Sequence, residues 1–179
     1  MIIANEKRKS NLAEYILYMW QVEDLIRAYK FDIKLISEAV LVHFDQPEEK
    51  QIEIKEWYEN LIEMMKIEKI EEKGHLQIIK NNINELYDFH LHLLNNKKDN
   101  AYIALFQKSA GHIAEFRTKS QATDENNDVE LCLTALYGIL MLRLQKKEVS
   151  KDTLAAVSSF SEMLAVLTAK YKAFEEDKD

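Results

Sequence analysis

One charged residue stands where helical periodicity puts hydrocarbon. At 100° per residue, the segment from Val129 to Lys147 places Arg143 on the apolar stripe formed by Cys132, Leu136, Ile139 and Leu140. A guanidinium cannot shed its charge, so if it is buried it requires a carboxylate or a ring of carbonyls. Glu23 and Arg27, four apart on the flank of an earlier helix that carries Ile16 and Trp20, offer the acid. The expected arrangement is an internal ion pair that fixes helix register, with Glu23 serving either arginine. An anion-binding Arg143 in a cleft is the functional alternative, and a snorkelling Arg143 at a helix end is the third.

Histidine raises a second question. His90 falls between Ile79, Ile83, Leu86 and Leu93, on the face a helix would bury, and reads as a core histidine bonded to a neighbouring group. His92 falls on the opposite face, where Asp88 is its i,i+4 neighbour, a spacing that suits a surface pair better than a metal site. Helical di-iron proteins need inward glutamates and Glu-x-x-His pairs. The chain has only the reversed His112-Ile-Ala-Glu115. Glycine-rich phosphate loops, G-x-S-x-G, H-E-x-x-H and EF-hand loops do not occur, so no cofactor, no metal and no catalytic residue is assigned. Met64-Met65 and the rings of YILYMWQ read as core.

The elements that must position these residues are helices. Three glycines and one proline in 179 residues are too few for turn-rich β architecture. The chain is expected to form one all-α domain over 1–179, a bundle of about seven helices with a polar, mobile loop near 119–128 and a frayed tail over 174–179. Asn11, with Glu14 as a capping box, starts a helix running to Tyr29, and Asp32 caps a second over DIKLISEAVLVHF. Asp45 or Gln46 caps a third, with Pro47 in its first turn and Gly74 as the stop after it. A fourth spans HLQIIKNNINELYDFHLHLL. A fifth carries Tyr102, Phe106, Ala110, Ile113 and Phe116, though Gly111 lies inside it. The sixth is the Arg143 helix, and Ser150 or Asp152 caps the seventh. On that last helix Ser158, Ser161, Ala165 and Ala169 form a strip of small side chains, expected to pack closely inside the bundle or to form a homodimer seam.

Charge narrows the partners. With 24 basic and 31 acidic residues the net charge is −7, which disfavours nucleic acid and anionic membrane surfaces, and Lys7-Arg8-Lys9 reads as a solvated helix end. No apolar run reaches membrane-spanning length, and MIIANEKRKS has the wrong order of apolar and basic residues for a secretory signal. The lone Cys132 fits a reducing, cytoplasmic setting.

Three stretches, EKRKSNLAEYILYMWQVEDLIRA, KGHLQ over residues 73–77 and ALYGILMLRLQKKEVS, resemble a small family of bacterial proteins, a domain of unknown function of Bacteroidetes type. The resemblance implies helices and a bacterial cytosolic setting, assigns no activity, and singles out polar residues within those stretches, His75 among them. Glu23, Arg27, His75, His90 and Arg143 are therefore the candidate ligand-binding residues. The function expected is a non-catalytic helical binding or scaffold protein, possible as a homodimer, acting on a protein or small-molecule partner. The alternative is an enzyme or small-anion binder with an internal pocket around Arg143 and Glu23.

Overall fold

Helix starts follow the side chains that can satisfy a free N–H. Asn11 accepts from the Glu14 N–H, Asp32 from Lys34 and Leu35, Asp99 from Tyr102, Asn127 from Glu130 and Ser150 from Thr153. A computed structural model of the chain describes residues 2–44, 46–96, 99–123 and 126–177, with Ile2 and Ile3 described by backbone alone. Among these residues there are eight α-helices and no strand. In order they are α1 (Ile2–Ser10), α2 (Leu12–Ala28), α3 (Ile33–Ala39), α4 (Glu48–Ile67), α5 (Gln77–Asn95), α6 (Asn100–Lys119), α7 (Asp128–Leu144) and α8 (Lys151–Glu176), with a 3-10 turn at Leu41–His43 between α3 and α4. The fold is all-α, as expected.

Helices α2, α5, α6, α7 and α8 pack on one another around a core that includes Ile16, Met19, Ile26, Leu86, Leu133, Phe160 and Leu167. Helix α4 lies against α3 and the 3-10 turn and contributes Tyr58, Leu61 and Met65, while α1 folds back on α2. Among the described residues no helix is long and apolar enough to cross a membrane.

Several expectations are corrected. The N-terminal stretch is itself helical, an eighth helix whose basic last turn meets α2 at Asn11. The Asn11 N–H is taken by the Lys7 carbonyl and Glu14 pairs with Lys7 Nζ, so only half of the capping box forms. The segment after Asp32 leaves α-geometry at Val40. Pro47 is the N-cap residue of α4 rather than part of its first turn, and the Gln46 side chain does not cap; the other proposed cap, Asp45, lies outside the described residues. Helix α6 runs straight through Gly111, and α8 continues to Glu176, with Phe174 against Phe89 at 5.1 Å; residues 178–179 lie outside the described residues. The strip of Ser158, Ser161, Ala165 and Ala169 is exposed rather than packed inside the bundle. Close approach of α6 and α8 occurs instead at Ser109, whose hydroxyl donates to the Ser159 carbonyl at 3.1 Å.

Gly74 does not end α4. That helix stops at Ile67, and Lys69, in the left-handed region at φ 57°, reverses the chain through Ile70 N–H to Met65 C=O and Lys69 N–H to Lys66 C=O bonds. The same pair of bonds, closed over a non-glycine residue at positive φ, ends α2 at Lys30 and Phe31, α6 at Gln121 and α7 at Lys146.

Candidate functional site

The connection between α4 and α5, residues 68–76, has no regular structure to pair its backbone, and α2 supplies the partners. Arg27 donates from Nε and Nη2 to the Ile70 carbonyl at 3.3 and 3.1 Å, from Nη2 to the Gly74 carbonyl, and from Nη1 to Asp24 Oδ1 at 2.9 Å. One turn earlier, Glu23 Oε1 accepts the Leu76 N–H at 2.9 Å and Oε2 lies 2.5 Å from His75 Nδ1. Acid and guanidinium thus hold one loop between them, the Leu76 N–H and the His75 imidazole on Glu23 and two carbonyls on Arg27. Gly74, at φ 96°, makes the bend that turns its carbonyl to Arg27, a conformation strained for any L side chain.

Aromatic packing closes this corner. The His75 imidazole stacks on Trp20 with ring centroids 4.5 Å apart, and Tyr137 of α7 meets Trp20 edge-on at 5.5 Å. The Tyr137 hydroxyl donates to Asp24 Oδ2 at 2.6 Å, and burial together with that carboxylate raises the phenol's pKa above its ordinary range. Trp20 Nε1 is buried without a hydrogen-bond partner among the described residues.

Three of the five candidate residues, Glu23, Arg27 and His75, therefore converge. The other two stand apart. His90 is buried on α5 with Nδ1 2.6 Å from the Tyr102 hydroxyl, among the rings of Tyr87 and Phe106, and burial lowers its pKa, favouring the neutral imidazole. Arg143 is exposed in the last turn of α7 and makes no ion pair among the described residues, so the Glu23–Arg143 pair does not form. The physical reason is that this end of α7 runs past its neighbours: Met141 and Leu142 are only half-buried and Leu144 is 67% exposed, so the stripe bearing Arg143 is not a core face there.

A carboxylate fully removed from solvent, bonded to an imidazole that keeps partial exposure, can orient a general base. Here, however, each Glu23 oxygen and most of the Arg27 donors are engaged by the chain itself, leaving His75 as the group open to another molecule. The cleft between α6, α7 and α8 is a separate feature. It encloses about 360 Å³ over a floor that includes Phe116, Ile139, Val157 and Phe160, with His112, Lys119 and Thr153 along its sides. His112 Nδ1 is held 3.0 Å from Ser159 Oγ, and Lys119 pairs with Glu115 at 2.6 Å. The sequence marks this cleft only by Gly138 in mid-helix, where an added Cβ would meet nothing within 4 Å.

Fold and site define an all-helical bundle in which side chains of one helix clamp a long connection and an apolar-floored cleft opens between α6, α7 and α8. The chain belongs to the family described as Domain of unknown function (DUF4924), which it matches over residues 1–178. Neither a curated protein nor a solved structure matches it.

Proposed function

We propose that this protein is a non-catalytic, cytoplasmic binding protein whose ligand is a small amphipathic molecule held in the cleft between α6, α7 and α8. The observation that carries this reading is the cleft itself: about 360 Å³, within the range of small-molecule sites, with an apolar floor and a few polar groups at its sides. The floor would take hydrocarbon, while His112, Lys119 and Thr153 would set the orientation of a polar end. A single cysteine, buried on α7, supports the reducing compartment. The reading as an enzyme or anion binder around Arg143 and Glu23 lacks a shared site, because one residue is exposed and the other sealed.

Substitution of Gly138 tests the proposal without threatening the fold. Gly138→Leu has room at Cβ, carries its side chain toward the cleft, and gains about 1 kcal/mol of helix propensity. With 1-anilinonaphthalene-8-sulfonate as probe, the parent is expected to enhance dye fluorescence saturably, and Gly138→Leu to melt higher and lose the enhancement. Equal dye binding by both proteins would remove the cleft as the site.

A further inference from the structure

A second cleft holds a group that folding does not explain. Asn82 lies on the buried face of α5 with Ile79, Ile83 and Leu86, is 3% exposed, and its Nδ2 has no hydrogen-bond partner among the described residues. Burial of an unpaired amide is unfavourable, and leucine, with the same branched skeleton and no polar atom, would not carry that cost. Asn82 also lines a cleft of about 680 Å³ between the α1–α2 corner, α5 and α8. Its unpaired donor, covered from solvent as the side chain stands, belongs to the wall of that cleft, so a bound acceptor would have to draw it out.

The charges around Asn82 say what kind of molecule. From α1, Arg8 and Lys9 face the cleft, and neither makes an ion pair among the described residues. Glu85 lies one turn along α5 from Asn82 and accepts from the Tyr171 hydroxyl at 3.3 Å. On α8, Lys172 and Glu176 offset each other at 3.7 Å, and Glu175 adds a further acid to the lining. The cleft thus presents cations from α1, acids from α5 and α8, and an unpaired amide within its wall. A simple anion would leave Glu85 facing like charge, and a simple cation would leave the Asn82 donor without an acceptor.

We infer that this cleft binds a free α-amino acid, its carboxylate accepting from Asn82 Nδ2 under the field of Arg8 and Lys9 and its ammonium group directed to Glu85. This site is independent of the α6–α8 cleft, from which it shares no lining residue.

Isothermal titration calorimetry of the full chain with L-glutamine, L-glutamate and L-lysine, and with propionate and ethylammonium as single-charge controls, tests the assignment. At least one amino acid is expected to bind while neither control does. Asn82→Leu is expected to weaken that binding at least about tenfold, the loss of one hydrogen bond to a charged group, while its melting temperature is maintained or raised. Arg8→Glu, an exposed change on α1, is expected to weaken binding by a similar factor, and serves if Asn82→Leu fails to fold. Absence of binding by all three amino acids, propionate binding as tightly as the amino acid, or undiminished binding by both variants would each overturn the inference.

Discussion

His75 Nδ1 and Glu23 Oε2 stand 2.5 Å apart across 52 residues of sequence, the imidazole partly exposed and the carboxylate fully buried. Because Glu23 also accepts the Leu76 N–H, this one side chain fixes where the connection ends and α5 begins.

Glu23→Ala should therefore cost about 3 kcal/mol, since it leaves the buried Leu76 N–H unpaired and removes the acceptor of His75. Arg143→Met should fall within about 0.5 kcal/mol of the parent, as expected for an exposed side chain with no ion pair. Urea denaturation midpoints of the two variants decide it, and equal losses would contradict the clamp.

The buried His90–Tyr102 pair should make stability sensitive to mild acid. Burial lowers the His90 pKa below its ordinary 6.5, so between the folded and unfolded values the unfolded chain binds more protons than the folded one. Stability then rises with pH in that window and falls as the pH drops below about 6.5, levelling off beneath the folded value. Unfolding free energies measured from pH 7.5 down to about pH 5 should show this slope, and His90→Gln should flatten it. A parent slope that survives the substitution would assign the effect elsewhere.

Cys132 is buried, and burial pushes its thiol pKa up, so the thiolate is scarce in the folded protein. Thiol titration with a chromogenic disulfide should show almost no reaction under native conditions and one equivalent in denaturant, with intermediate rates following global unfolding. Fast native labelling would mean that α7 opens locally.

The fold was legible where its causes are local. Asn11, Asp32 and Ser150 mark helix starts because a cap bonds within three residues of itself, and the scarcity of glycine removes β alternatives. Helix α1 was missed because its apolar residues precede a basic run and show no repeating stripe. Glu23 and Arg27 were recognisable as odd, yet their partners were not, since a loop 43 to 53 residues away carries no periodic signal. Arg143 misled for the opposite reason: periodicity identifies an apolar stripe but not how far along it the neighbouring helices reach. Asn82 carries no sequence signal, because a single amide in an apolar face becomes informative only when its bonds can be counted.

The helix exits at Lys69, Gln121 and Lys146 have a practical corollary. Each holds a residue with a Cβ in the left-handed region, at φ 57°, 54° and 56°, where glycine rests without penalty. Relief of that penalty, less the added freedom of the unfolded chain, leaves a net gain of about 0.5–1 kcal/mol per site. Lys69→Gly, Gln121→Gly and Lys146→Gly lie at the ends of three different helices and should add nearly independently, raising the melting temperature stepwise. The shortage of glycine that marks the chain as helical thus also marks a thermal reserve, open to engineering without touching either cleft.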